Sequence, residues 1–92
     1  MRQHIGPFPD LAFHSDALYR LGVLRRRGSD AEVRCLAEAC TEIREKGADA
    51  IRAHAPNLFD VYRCGHVIAV SVTQDGAAGT ILDFFPASGE VP

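Results

Sequence analysis

The sequence predicts an α+β fold in which a helical hairpin packs on a small antiparallel sheet, with the element order β-α-α-β-β-β. Apolar residues recur at helical spacing in two segments that only Arg27-Gly28-Ser29 separates, so the two helices should be antiparallel neighbours. Residues 58–86 contain three strand-like segments divided by two tight turns. With 92 residues, 47% of them apolar and 24% charged, the chain fits a single domain, 1–92.

The first helix is expected to follow a short strand. Residues 1–10 contain Gly6, Pro7 and Pro9 and should be irregular, whereas Leu11–His14 fits a strand. Ser15 is a suitable N-cap, and Gly28 should end the helix. Its apolar stripe is Ala17, Leu18, Leu21 and Leu24.

The second helix carries a clearer apolar stripe. Ser29 and Glu32 match a capping box at its start. The stripe has the spacing of one buried helix face and consists of Val33, Leu36, Ala39, Cys40 and Ile43. Gly47 should end or kink the helix, and residues 48–53 are expected to form a short helix or turn.

The C-terminal third predicts a three-stranded meander. Residues 58–63 form its first strand, and Cys64-Gly65 is a two-residue turn. Residues 66–73 are apolar on both faces, which indicates a central strand. A second turn at residues 74–79 leads to the last strand at 80–85, and residues 87–92 should be irregular.

Cysteine usage and hydropathy predict a cytoplasmic protein. The three cysteines are an odd set without a close pair, and Cys35 and Cys40 lie too far apart around a helix to be bridged. We find no apolar run long enough for a membrane span and no signal-peptide core. The histidines and cysteines lack the spacing of a zinc site, so we expect no bound metal. We also expect no cofactor and no membrane partner.

No catalytic residue can be assigned from the sequence. Six residues are candidates for binding a macromolecule: Arg20, Arg25, Arg26, Arg27, Arg63 and His66. Residues 1–27 carry five arginines against two aspartates, although the net charge of the chain is −2. The arginines on the first helix could contact an acidic protein surface or nucleic acid, or could simply be solvated beside Glu32 and Glu38.

The residues beside the hairpin turn and at the end of the last strand also allow two interpretations. Arg63 could be a binding residue or could pair with Asp60 or Asp83, and His66 could be a solvated turn histidine. Residues 84–86, Phe-Phe-Pro, could be core or an exposed edge that binds a partner.

The chain resembles the RelE/ParE superfamily of bacterial toxins over residues 11–85. The stretch 11–27, LAFHSDALYRLGVLRRR, is similar to the opening strand and first helix of that family. Residues 61–66, VYRCGH, are similar to its hairpin, in which an arginine precedes the turn glycine. The resemblance implies a toxin that binds a macromolecular target and is neutralised by an antitoxin.

Three departures argue against RNA cleavage. Ile68 stands where the family usually has an arginine, and no Lys or Arg follows Arg63. The pI near 6.0 is low for an enzyme that binds RNA through phosphate contacts, so nucleic acid is disfavoured as a partner. We therefore expect a protein partner and a toxin, or a catalytically inactive relative, that acts by binding.

Two other classes of function stay open. A stand-alone protein-binding inhibitor or adaptor, such as a phage-encoded anti-defence protein, fits a small chain without a catalytic constellation. An enzyme or a small-molecule-binding domain is disfavoured, because no paired acid and base and no nucleophile motif occur in the sequence.

Overall fold

Two helices lie on a six-stranded mixed sheet in the computed structural model, which describes residues 2–87. The helices are α1 (Ser15–Arg26) and α2 (Asp30–Glu45). The strands are β1 (Arg2–Ile5), β2 (Ala12–Phe13), β3 (Ala48–Arg52), β4 (Leu58–Arg63), β5 (His66–Val72) and β6 (Gly79–Pro86). They are arranged in the order β1-β3-β4-β5-β6-β2, and β2 is parallel to β6 while the other pairs are antiparallel. The α+β prediction with a helical hairpin on a sheet is confirmed.

The core lies between the helices and one face of the sheet. All five residues of the stripe predicted for α2 are buried, which confirms that assignment. Strand β5 is an interior strand, as predicted, and its buried residues alternate along its whole length. Because that alternation leaves every second residue of β5 half-buried, the face of the sheet opposite the helices is only partly apolar and remains open.

Helix α1 buries less of its apolar stripe than the sequence predicts. Ala17 and Leu24 are buried, but Leu18 is 56% exposed, so its place in the predicted core stripe is wrong. The helix is capped by His14 and not by Ser15, since His14 Nδ1 accepts a hydrogen bond of 3.0 Å from the backbone N–H of Asp16. Ser29 precedes α2 as its N-cap without a side-chain cap bond, so the predicted capping box is not formed.

Two segments that the sequence assigns to irregular structure and to a short helix or turn are strands. Arg2–Ile5 and Ala48–Arg52 pair with each other in antiparallel register, from Arg2 opposite Ile51 to Ile5 opposite Ala48. Each segment is short, and its extended form is stabilised by a partner more than 40 residues away in the chain. Such non-local pairing leaves no strong local signal. The predicted irregular tail lies, apart from Ala87, outside the described residues.

The last strand resolves the choice between core and exposed edge for the Phe-Phe-Pro segment. Phe84 is fully buried, whereas Phe85 is 46% exposed and lies opposite Val67. The two aromatic rings therefore differ in burial because successive strand residues point to opposite faces.

Among the described residues, no helix is both long enough and apolar enough to span a bilayer.

Gly47 is the point at which α2, β1 and β3 approach most closely. It has φ +80°, and a Cβ built on it would contact the carbonyl oxygen of Ile5 and lie 2.7 Å from His4 Nε2. Gly28 has almost the same backbone conformation, φ +81°, but a Cβ there would meet nothing within 4 Å. Substitutions at the two glycines can therefore be compared to separate the free-energy cost of a side chain in the left-handed conformation from the cost of the close approach.

Replacing these glycines by alanine should have clearly different effects. We expect Gly28→Ala to lower the free energy of unfolding by about 1 kcal/mol, the cost of a Cβ in the left-handed region. Gly47→Ala should lower it by about 3 kcal/mol or more, because the methyl group also displaces β1. Urea denaturation of both variants measures the difference, and equal losses would contradict the close packing of β1 on Gly47.

A disulfide joins Cys35 of α2 to Cys64 of the β4–β5 turn, and Cys40 is a buried free thiol. The expectation of three reduced cysteines is therefore wrong for two of them. The pair was hidden because the residues are 29 apart in sequence and only the packing of α2 on the sheet brings their Cα atoms to 6.1 Å. Disulfides of this kind are typical of oxidising compartments, so the cytoplasmic location stays a prediction.

Removal of the disulfide should destabilise the fold substantially. A disulfide between residues 29 apart lowers the conformational entropy of the unfolded chain, which raises the free energy of unfolding by about 3–4 kcal/mol in the chain-entropy model. We expect Cys35→Ala combined with Cys64→Ala to lower the unfolding free energy by that order in urea titrations. Dithiothreitol should produce a similar loss in the wild type and none in the double variant; an equal response of both proteins would contradict the bond.

Candidate functional site

The two candidates beside the β4–β5 turn are engaged with α2. Arg63 Nη2 lies 2.6 Å from Glu42 Oε1, so its ion pair is with neither of the two aspartates considered from the sequence. His66 is only 5% exposed, which corrects the interpretation as a solvated turn histidine. Its Nδ1 lies 3.1 Å from the carbonyl oxygen of Cys64 and 3.8 Å from Glu32 Oε2. Both residues therefore help to attach the turn to α2, and His66 is not available to a solvent-borne ligand.

The arginines of α1 divide into one bound residue and three exposed residues. Arg20 makes two hydrogen bonds to the carboxylate of Asp83 on β6, at 3.3 and 3.4 Å, and Asp83 raises the pKa of Arg20. Arg25, Arg26 and Arg27 are exposed, and the guanidinium of Arg26 lies 6.0 Å from the centre of the Tyr19 ring. The candidates have separate partners, since Arg20 binds Asp83, Arg63 binds Glu42 and the ring of His66 lies against the carbonyl oxygen of Cys64.

An apolar groove runs along the outer side of the helical hairpin, and we call it the hairpin groove. It has a volume of about 190 Å³. It is lined by Leu11, Phe13, Leu18, Leu21, Ala37, Cys40, Thr41 and Arg44. Leu18 and Phe13 are 56% and 39% exposed, which is unusual for large apolar side chains that lie together. The sequence analysis assigned Leu18 and Leu21 to the core stripe of α1 and did not indicate this surface.

Cys40 lies in the hairpin groove but is unsuited to chemistry. Burial raises the pKa of its thiol to about 11, so the thiol stays protonated at neutral pH. A protonated thiol is a poor nucleophile and a poor metal ligand. Cys40 therefore contributes apolar surface to the hairpin groove rather than a reactive thiolate.

A second concave surface lies where β3 and β4 separate, and we call it the sheet fork. The two strands pair only at Ile51 opposite Asp60 and at Arg52 opposite Phe59. Beyond that point, residues 48–50 pair with β1 and residues 61–63 pair with β5, so the sheet opens between them. The opening forms a polar cleft of about 360 Å³, lined by Arg2, His4, Glu42, Lys46, Gly47, Ala48, Asp49, Tyr62 and Arg63.

His4 links three elements at the sheet fork. Its Nδ1 lies 3.1 Å from Asp49 Oδ1, and its Nε2 lies 3.1 Å from the carbonyl oxygen of Lys46. Both ring nitrogens can donate to these acceptors only when the imidazole is protonated. The hydrogen bond to Asp49, followed by that to Lys46, raises the pKa of His4 above its ordinary value of 6.5.

The stability of the protein should fall with rising pH through the titration of His4. Because the pKa of His4 is higher in the folded state, its contribution is complete below 6.5 and is lost as the pH rises through the folded value. We expect His4→Gln to reduce the loss of stability between about pH 5.5 and about pH 8.5. Urea midpoints at both values measure this, with His54→Gln as the control; equal pH dependence in His4→Gln and wild type would contradict the linkage.

Metal ligation and similarity to other proteins give no further assignment. Among residues 2–87, no three His, Cys, Asp or Glu side chains are placed so that they could hold a metal ion. No family model, no curated protein and no solved structure matches this chain.

Proposed function

We propose that the chain is a RelE/ParE-like toxin, or a catalytically inactive relative, that acts by binding a macromolecular target and is neutralised by a protein partner. The observation that carries the proposal is the hairpin groove, where Phe13 and Leu18 are exposed beside the buried part of the hairpin. An amphipathic helix of an antitoxin would cover these side chains by placing its apolar face in the groove.

The charge beside the hairpin groove favours an acidic partner helix. Ala37 belongs both to the groove and to a neighbouring shallow cleft that contains Arg25, Asp30 and Arg34. The two arginines outnumber the aspartate there, and Arg44 lies in the groove itself. Cationic residues at the edge of an apolar groove attract an acidic partner and fix its orientation more than they add affinity.

The state of the other candidate residues supports binding rather than catalysis. Arg63 is paired with Glu42, and His66 is buried against a backbone carbonyl. A general base must reach the proton that it removes from a substrate, and the burial of His66 prevents this. Arg63 stays protonated and cannot act as a base. We expect any action on a target to come from the exposed arginines Arg25, Arg26 and Arg27 as surface contacts.

A stand-alone protein-binding inhibitor or adaptor is the second candidate, and the disulfide favours it. Cys35 and Cys64 would not stay oxidised in a reducing cytoplasm, where toxins and antitoxins meet. An adaptor that acts in an oxidising compartment would keep the bond and could use the same hairpin groove. Thiol blocking in cells of the natural host, followed by purification and counting of the blocked thiols, distinguishes the two, because a cytoplasmic toxin should then yield three free thiols and an oxidised adaptor one.

A growth experiment with one groove variant tests the proposal. Expression of the wild type should arrest growth, and co-expression of the adjacent small reading frame should restore it. Leu18→Glu places a charge in the hairpin groove, so the partner should fail to restore growth and its affinity should fall about tenfold or more. Tyr19→Glu is the matched control, because Tyr19 is the next residue of α1, is 67% exposed and does not line the groove.

Two results would contradict the toxin proposal. Absence of growth arrest at high expression, with or without the neighbouring frame, would exclude a toxin. Equal binding of the partner to Leu18→Glu and Tyr19→Glu would show that the partner does not use the hairpin groove. Circular dichroism of both variants confirms that the comparison is made between folded proteins.

A further inference from the structure

The sheet fork has a positive local charge on a chain whose net charge is −2. Arg2, Lys46 and Arg63 line it against only two carboxylates, those of Glu42 and Asp49. Both carboxylates already have partners, since Glu42 forms an ion pair with Arg63 and Asp49 is hydrogen-bonded to His4. Within the described residues, no carboxylate lies within ion-pair distance of Arg2 or Lys46. The sheet fork therefore has a net charge of +1, which becomes +2 when His4 is protonated.

The backbone of the sheet fork adds hydrogen-bonding groups that have no partner across the gap. Residues 48–50 and 61–63 lie on neighbouring strands but do not pair with each other. In each strand, alternate N–H and C=O groups point to the side where the missing partner would be. A ligand in the gap can bind these groups without displacing existing sheet hydrogen bonds, so a polar ligand is favoured over an apolar one.

A flat aromatic surface lies at the mouth of the sheet fork. Tyr62 is 54% exposed, and it lines the polar cleft as well as an adjoining cleft of about 230 Å³. That second cleft also contains Ile51 and the carboxylates of Asp49 and Asp60. An aromatic ring beside carboxylates suits a planar base, which can stack on the ring while its amino group or a ribose hydroxyl donates to a carboxylate.

We propose that the sheet fork binds a nucleoside 5′-monophosphate group, either as a free nucleotide or as the 5′-terminal residue of a short RNA. The phosphate monoester carries a charge of about −1.5 to −2 at neutral pH, which matches the two cations of the sheet fork that have no carboxylate partner, Arg2 and Lys46. These two residues hold the phosphate and Tyr62 stacks on the base, while His4 stays bound to Asp49 and to the carbonyl oxygen of Lys46. This proposal does not depend on the proposed function, because the sheet fork and the hairpin groove share no lining residue.

Calorimetric titration with adenosine 5′-monophosphate, inorganic phosphate and adenosine tests the assignment. The nucleotide should bind at least about tenfold more tightly than either part alone, because only the nucleotide uses both clefts. Arg2→Gln combined with Lys46→Gln should weaken nucleotide binding about tenfold or more through loss of charge-assisted hydrogen bonds. Tyr62→Leu should weaken binding of the nucleotide and leave binding of inorganic phosphate unchanged.

The matched control removes the same amount of charge elsewhere. Arg52→Gln combined with Gln74→Glu lowers the net charge by the same two units at exposed residues that line neither the sheet fork nor the hairpin groove, and the affinity should stay within about twofold of the wild type. Circular dichroism establishes that each variant is folded. Equal weakening by both double variants would overturn the site, since it would reduce binding to long-range charge attraction, and so would absence of binding at millimolar nucleotide.

A short RNA distinguishes the two sources of the ligand. A trinucleotide with a 5′-phosphate that binds more tightly than the free nucleotide, while the same RNA with a 5′-hydroxyl does not, assigns the site to RNA ends. Tighter binding of the free nucleotide assigns it to mononucleotides. Equal binding of the 5′-phosphorylated and 5′-hydroxyl trinucleotides, each tighter than the free nucleotide, would overturn the proposal, because a phosphate-independent contact would then dominate.

Discussion

Burial of the apolar stripe of α2 against one face of the sheet is the interaction on which the other parts of this structure depend. Its five buried side chains provide most of the apolar surface that the helices contribute to the core. The same packing places Cys35 beside Cys64 and Glu42 beside Arg63, so α2 is attached to the β4–β5 turn by a covalent bond and an ion pair. The end of α2 leads through Gly47 directly into β3, which ties the start of that strand to the helix.

This arrangement separates two surfaces with different chemistry. Helix α2 contributes Ala37, Cys40 and Thr41 to the apolar hairpin groove on one side and Glu42 and Lys46 to the sheet fork on another. The hairpin groove suits an amphipathic partner, whereas the sheet fork is polar and positively charged. Both surfaces include side chains of α2, so a ligand in the sheet fork and a partner in the hairpin groove would contact the same helix.

Elements with a strong local pattern could be recognised from the sequence alone. The stripe of α2, the Cys64-Gly65 turn and the interior strand β5 were all predicted, since each is encoded by periodicity or by turn residues within a few positions. Strand β1 was missed because its extended form depends on pairing with the distant β3. Strand β3 was missed because its pairing with the nearby β4 covers only two residues of each strand and its remaining partner is β1. The candidate site was predicted less well: Arg63 and Arg20 proved to be paired, His66 proved to be buried, and neither concave surface was foreseen.

Hydrophobic periodicity and turn chemistry act between near neighbours, so the order of the amino acids is enough to specify the fold class, the helical hairpin and the meander of β4, β5 and β6. The packing of the helices on the sheet, in contrast, sets which charges are free and which cysteines are joined. Ion pairs such as Arg20 with Asp83 and the bond between Cys35 and Cys64 connect residues 63 and 29 positions apart. Their formation depends on how the helices lie on the sheet, which no local pattern specifies. The open positions left by that packing, around Leu18 and between β3 and β4, are where we propose that this chain binds other molecules.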